Sequence, residues 1–360
     1  MRILLIDSGL ADDSQAAGPT SDLQSALHSA GQDVRTLWAN QIPAGARPGP
    51  SAAPEQLAAY RQAWRAALDR IVDEFDPAVM QVRGLSPLTA LALETGVPYI
   101  ITVTADDLAE ELSDPNQRRL IDQGVQNAAA IVANSPCAQR RLLAAFAEWP
   151  AAAMIYDPVA PPESNTACAP PWAGLNALEQ LPLVLAAGDF ADGQQMELLL
   201  NAAAAYEPLP AATILWGLGK RAGDWDWQIE RLGLSRVSRI APPLDRAARD
   251  ALWERAAVVF ASSPDGAGLR AAQEALCAGT PVIALAQGPL SELIDADVGA
   301  VVPPDDHEQL AETIGKFLEH GSTAPLRAAC QRRAAERFSP AAAARRYLEH
   351  FQAASTHRGM

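Results

Sequence analysis

Short apolar runs alternate with longer amphipathic stretches from the first residue onward. Met1-Arg2-Ile3-Leu4-Leu5-Ile6-Asp7 reads as a buried strand, a helix follows around Ser21 to Ala30, and Val34-Arg35-Thr36-Leu37-Trp38-Ala39 reads as the next strand. A long amphipathic segment from Pro54 to Phe75 leads into the strand Val79 to Val82. A helix over Leu88 to Leu93 and the strand Pro98 to Val103 come next. Ala130 to Ser135 reads as a further strand, with Ser135 placed to cap a helix carrying Gln139 to Phe146, and Ala153-Met154-Ile155-Tyr156 closes the first half. Strands alternating with helices in this order predict a parallel sheet built from βαβ units.

The rhythm stops between residues 157 and 180, where prolines and small residues collect around Trp172 without periodicity, as in an interdomain connection. It restarts with Leu183 to Gly188, Thr213 to Gly217, Val258 to Ala261 and Pro281 to Leu285, each followed by a helical stretch. The tail from Leu310 to Ala354 reads as helices, the last with Arg345, Tyr347, Leu348 and Phe351 in an amphipathic pattern. The expected organisation is a first α/β domain over 1–160, a linker over 161–180, a second α/β domain over 181–335 and a terminal helix over 336–360.

Composition narrows the function classes. A chain of 360 residues suits two domains of ordinary size. Its 28 Lys and Arg against 43 Asp and Glu give a net charge of −15, which opposes nonspecific attraction to nucleic acid or to an anionic membrane. The N-terminal run is too short for a signal peptide, no stretch has the apolar length of an integral membrane segment, and the expectation is a cytoplasmic protein. Cys137, Cys168, Cys277 and Cys330 are far apart with no CxxC pair, so no zinc site or disulfide framework is expected. The five histidines leave positions 29 to 306 without an imidazole.

Gly266-Ala267-Gly268-Leu269 precedes a helix with Glu274-Ala275-Leu276-Cys277-Ala278-Gly279-Thr280-Pro281, and Gly288-Pro289-Leu290-Ser291-Glu292 and Gly299 to Pro304 follow. This ordered run resembles the C-terminal donor domain of glycosyltransferase family 4. The Gly31-Gln32-Asp33-Val34 turn, the Pro98 to Val103 strand, the Asn134-Ser135 helix start, Leu232-Gly233-Leu234 and Phe338-Ser339-Pro340 extend the resemblance over both domains. It implies an α/β GT-B fold: two Rossmann-like domains facing across a cleft, with the last helix crossing back to the N-terminal domain. A nucleotide sugar would be the co-substrate and a glycan or other hydroxyl compound the acceptor, with no metal or other cofactor and with retention of anomeric configuration.

The resemblance also implies site residues. A glycine-containing turn that opens a helix offers unpaired N–H groups and a positive dipole end to a diphosphate, and Gly268 and Leu269 occupy that place. Glu274 matches a glutamate that accepts hydrogen bonds from ribose hydroxyls. Its side chain is expected to face the cleft, so that replacing it would leave stability nearly unchanged; a solvated helix carboxylate is the plainer alternative. Gly288 and Pro289 match the loop beside the donor phosphates, although a plain strand-to-helix turn uses the same residues. Gly217 and Gly219 match a strand-end turn near the nucleotide.

The pattern departs from the family at its cations. Transfer builds negative charge on the leaving diphosphate, and the family answers it with an arginine and a lysine. Here those places hold Asp189 and Gln194. Lys220 and Arg221 after the Gly217 turn, or Arg270 near the start of the Glu274 helix, are candidate replacements; solvated loop and helix charges are the alternative. The family's acidic pair has seven intervening residues, which places its first member at Gly266, with Asp265 one residue earlier as the substitute carboxylate. The family's N-domain histidine is replaced in Thr104-Ala105-Asp106-Asp107, where Asp106 and Asp107 are the candidates for orienting the acceptor hydroxyl, and Arg83 is a candidate for the acceptor side.

Two functions follow: a working glycosyltransferase, or a homologue with an impaired donor site that acts as a scaffold, binds a glycan or stabilises a protein partner. A dinucleotide-dependent oxidoreductase ranks last, because Asp7-Ser8-Gly9-Leu10-Ala11 lacks the G-x-G-x-x-G turn after the first strand.

Overall fold

The computed structural model describes residues 1–7, 18–43, 53–104, 107–110, 115–146, 149, 152–162, 181–188, 190, 193–206, 209–216, 222–240, 244–261 and 267–356. They form two compact units. Unit 1 comprises Met1–Pro158 with Phe338–Met360, and unit 2 comprises Val159–Arg337.

Unit 1 contains β1 (Arg2–Asp7), α1 (Pro19–Ser29), β2 (Asp33–Trp38), α2 (Pro54–Phe75), β3 (Val79–Arg83), α3 (Leu88–Glu94) and β4 (Tyr99–Val103). The short α4 (Asp107–Glu110) follows, then α5 (Pro115–Gln126), β5 (Ala130–Ala133), α6 (Pro136–Ala145) and β6 (Ala152–Met154). The strands make one six-stranded sheet in the order β2-β1-β3-β4-β5-β6, every pair parallel. Its central strands are apolar on both faces because helices cover both. Leu4, Ile6, Met80, Val82 and Ile101 face a core shared with Tyr60, Trp64 and Leu68 of α2, while Ile3, Leu5, Val79 and Ile100 face the opposite core.

That second face is closed by α1 and by the terminal helix α13 (Pro340–Thr356), whose Ala343, Ala344, Tyr347 and Phe351 are buried against the strands. Tyr347 and Phe351 are both fully buried, and hiding two such aromatics is worth about 2 kcal/mol apiece. Burial of this stripe is the physical reason that the end of the chain belongs to unit 1. Burial and the neighbouring Asp157 charge both push the Tyr347 hydroxyl above the usual tyrosine range.

Unit 2 contains β7 (Leu183–Ala187), α7 (Gln194–Tyr206), β8 (Ala212–Trp216), α8 (Ala222–Arg231), β9 (Val237–Ile240), α9 (Arg246–Arg255) and β10 (Ala256–Ala261). It continues with α10 (Ala267–Ala278), β11 (Val282–Leu285), β12 (Gly299–Val302), α11 (His307–His320) and α12 (Ala324–Phe338). Its sheet is again six-stranded and parallel, in the order β12-β11-β10-β7-β8-β9. At β12 the backbone approach is close: a Cβ on Gly299 would lie 1.8 Å from the Val282 carbonyl oxygen.

Local chemistry sets several boundaries. Ser135 caps α6 by accepting the Ala138 amide at 3.2 Å, and Pro136 follows at the first helical position, so the helix starts ahead of Gln139. α1 likewise opens on Pro19, ahead of Ser21. Among the described residues, no helix is long and apolar enough to cross a membrane.

Candidate functional site

Open parallel sheets bind ligands at the carboxyl ends of their strands, where the strand order reverses. In unit 2 the reversal lies between β7 and β10, because the chain runs outward through β8 and β9 and then crosses to β10, β11 and β12. The helix that leaves this point is α10. Gly268 and Leu269 sit buried in its first turn, and Arg270 and Glu274 follow one turn apart.

Glu274 is neither solvated nor simply turned to the exterior: its side chain is only 13% exposed. Arg270 Nε donates to Oε1 at 2.7 Å, and the Trp253 indole N–H donates to Oε2 at 3.1 Å. Arg249 Nη1 stands 4.0 Å from Oε1, so the carboxylate has two guanidinium groups beside it. Trp253 is itself rigidly placed. It is buried in α9, its carbonyl accepts the Thr280 hydroxyl at 2.6 Å, and its ring meets Trp216 edge to face at 5.4 Å. The expectation that Glu274 could be removed with stability nearly unchanged is therefore corrected, because removal would strip the buried Trp253 indole of its acceptor and the buried Arg249 of a nearby counter-charge.

The remaining unit 2 candidates divide into those the structure describes and those it does not. Gly288 has φ +70°, a backbone conformation suited to glycine, and opens a short 3-10 turn over Pro289–Glu292 that the Ser291 hydroxyl closes by donating to the Gly288 carbonyl at 3.0 Å. Gln194 is exposed at the start of α7. Gly217, Gly219, Lys220, Arg221, Asp189 and Asp265 lie outside the described residues.

In unit 1 the order reverses between β1 and β3, which end on Asp7 and Arg83. Arg83 makes a bidentate pair with Asp157, with both contacts at 2.7 Å, and Asn134 Nδ2 donates to the same carboxylate at 3.0 Å. Burial by itself lowers the pKa of the Arg83 guanidinium; Asp157, through charge and hydrogen bonds, and Asp7, through charge, outweigh it and hold the group above the usual arginine value. Arg83 is thus a fixed, compensated cation. Beneath it, Gln81 and Tyr347 both meet the Thr102 hydroxyl.

Asp107 is committed locally as well. Its Oδ2 accepts from the Thr104 amide at 2.7 Å and the Thr104 hydroxyl at 2.9 Å, which fixes the turn after β4. A Cβ on Gly84 would come within 3.2 Å of its Oδ1. Asp106 lies outside the described residues. Among the described residues, no group of three or more His, Cys, Asp or Glu is arranged to hold a metal ion.

With this geometry in hand, two family profiles match the chain: glycosyl transferases group 1 over residues 174–337, and the glycosyl transferase 4-like domain over residues 10–156. Solved structures agree over nearly the whole length. Sucrose-phosphate synthase from Thermosynechococcus elongatus is 19% identical, with 98% of each chain covered and a TM-score of 0.73. The chain belongs to the GT-B glycosyltransferases. HepE from Anabaena, solved with UDP and glucose, is 18% identical over 98% of this chain and 99% of its own, at a TM-score of 0.73. A glycosyltransferase from Rickettsia africae is 14% identical, with 98% of each chain covered and a TM-score of 0.72. No curated protein gives a significant match.

In this glycosyltransferase the group 1 profile falls on the sheet that carries α10, and the 4-like profile falls on the sheet that carries Arg83. Sequence reasoning singled out Arg270 and Glu274 and missed Arg249 and Trp253. The available signal was weak: Arg249 and Trp253 are four apart on α9, as Arg270 and Glu274 are on α10, so each pair shares one helix face. Nothing in the linear pattern says that the two pairs meet.

Proposed function

We propose that this glycosyltransferase takes a sugar from a nucleotide sugar to a hydroxyl acceptor such as a glycan, with unit 2 as the donor side and the cytoplasm as its compartment. The observation that carries this reading is the α10 start at the strand-order reversal, with Gly268 and Leu269 buried in the first turn and the Glu274 carboxylate held further along the same helix. The diphosphate would lie against the N–H groups of that turn, where the helix dipole favours negative charge. Glu274 would accept the ribose hydroxyls, and Gly288 and Pro289 would border the phosphates. HepE, a relative in fold, is a protein solved with UDP and with UDP-glucose, which supports this class of donor.

In the reaction, an acceptor oxygen bonds to the anomeric carbon as the bond from that carbon to the diphosphate oxygen breaks. The acceptor loses a proton and the nucleoside diphosphate leaves. Positive charge beside the leaving group lowers this barrier. Lys220, Arg221 and Arg270 are our candidates for that charge, Asp106, Asp107 and Asp265 for the carboxylates near the reacting groups, and no metal is invoked. Calorimetric titration with UDP, GDP, ADP and their sugars tests the reading: micromolar binding of one nucleotide supports it, and no binding of any refutes it.

A second reading is favoured by a specific observation. The carboxylates of Asp107 and Glu274 already serve internal partners, and neutral Gln194 stands where the family has a cation. On that reading the chain is a catalytically impaired homologue that stabilises a protein partner or binds a glycan. Nucleotide binding without turnover, on any acceptor, would select it.

A further inference from the structure

We propose that Trp253 and Arg249 are positioning residues that fix the Glu274 carboxylate in the orientation needed to read a ribose diol. The proposal rests on the donor-site reading above and goes further, assigning roles to two α9 residues and a chemical basis for distinguishing ribose from sugars lacking its hydroxyls.

An ionised carboxylate has about four lone-pair directions. In Glu274, one on Oε1 is taken by Arg270 Nε at 2.7 Å and one on Oε2 by the Trp253 indole at 3.1 Å. Roughly one direction per oxygen therefore remains, and a vicinal diol presents two O–H donors to fill them. The two donors already in place come from different helices, α10 and α9, so the carboxylate plane is pinned from two sides. Arg270 alone, on the same helix and more exposed, would leave the side chain free to turn about its terminal bond.

The rigidity of Trp253 is what makes it suitable. The side chain is 1% exposed, wedged against Trp216, and its own backbone carbonyl is tied to Thr280. Arg249 is 8% exposed, and its guanidinium at 4.0 Å supplies charge rather than a hydrogen bond to Oε1. The two guanidinium groups lie on the protein side of the Glu274 carboxylate and complement its charge, and a carboxylate is an acceptor for hydroxyl donors. Among the described residues, Arg249 Nε is a buried donor without a partner. The arginine therefore retains hydrogen-bonding capacity that a purely structural ion pair would use.

The experiment compares calorimetric titration of the full chain with UDP, GDP and ADP against their 2′,3′-dideoxy forms. The wild type should prefer the ribose form by about tenfold or more, the scale of hydrogen bonds to a charged acceptor. Trp253→Phe keeps the aromatic packing and removes the indole N–H; it should weaken ribose-form binding while leaving dideoxy binding unchanged, so the preference falls toward unity. Arg249→Met should lower the preference too, and Arg249→Lys should restore most of it. A merely structural role would weaken both nucleotide forms equally, so an undiminished preference in folded Trp253→Phe and Arg249→Met overturns the proposal. Equal binding of ribose and dideoxy forms by the wild type overturns it while leaving the donor-site reading standing. Failure of every nucleotide to bind overturns both.

Discussion

Replacing Arg83 with methionine should be among the most damaging single changes in unit 1. The side chains of Arg83 and Asp157 are 15% and 8% exposed, joined by two contacts of 2.7 Å. Methionine fills much of the same volume but removes the guanidinium that pairs with the Asp157 carboxylate through both oxygens, while the Asn134 amide at 3.0 Å still donates to it. Breaking a buried pair from one side costs about 3–5 kcal/mol, and in a unit of this size each kcal/mol lowers the melting temperature by about 2–4 °C. The unit 1 transition should therefore fall by roughly 6–20 °C in scanning calorimetry. Because the folded pKa of Arg83 is raised, its contribution is complete at every pH below the ordinary arginine value and should not fade through ionisation of the arginine at neutral pH. The double change Arg83→Met with Asp157→Leu should recover most of the loss, since no charge is then left buried. A loss below about 1 kcal/mol in the single variant would refute the reasoning, because that is the worth of an exposed pair.

Gly299→Ala should destabilise unit 2 by about 3 kcal/mol or more, since its Cβ would stand 1.8 Å from a backbone oxygen of β11 that cannot swing away; a cooperative melt unchanged from wild type would contradict this. Glu274→Ala should cost about 1–3 kcal/mol in a denaturant titration, the penalty for orphaning the buried Trp253 indole N–H, and a neutral result would contradict the contact described. Burial pushes the Cys330 thiol up to about 12, so iodoacetamide at pH 8 should leave it unmodified until the chain is unfolded. Its folded pKa lies above its unfolded one, so this group's effect on stability is complete below pH 9 and erodes as pH climbs toward 12.

Much of the fold was legible because parallel strands buried on both faces appear as unbroken apolar runs. Ile3 to Ile6 and Leu183 to Ala187 announce themselves in this way, and Val79 to Val82 does so with Gln81 as its one polar interruption. α2 was read from Pro54 to Phe75 as an amphipathic segment, and in the structure Pro54 opens it and Asp76 ends it with φ 43°. α5 was not read. Its sequence Pro115 to Gln126 is mostly polar and carries Gly124, whose lack of a side chain admits Thr89 of α3; a Cβ there would lie 2.4 Å from Thr89 backbone. That glycine looks like a breaker in one dimension and is a contact in three.

The candidate site was legible as a motif and opaque as an environment. Gly268, Arg270 and Glu274 stand in one run of sequence, whereas the state of the Glu274 carboxylate depends on α9, which the chain brings to it through tertiary packing. Asp107 shows the converse. An acidic residue in a strand-end loop suggests chemistry, yet three residues from Thr104 it is also well placed for the local cap it forms. Arg83 was a candidate for the acceptor side, and only the folded chain reveals that Asp157 neutralises it across 74 positions.

The most direct test of the central claim is calorimetric titration of the purified chain with UDP, GDP, ADP and the corresponding nucleotide sugars. The account predicts micromolar binding of one nucleotide, weakened by Glu274→Ala in protein that remains folded. Absence of binding by every member of the panel would contradict it, leaving a glycosyltransferase fold whose donor site no longer serves a donor.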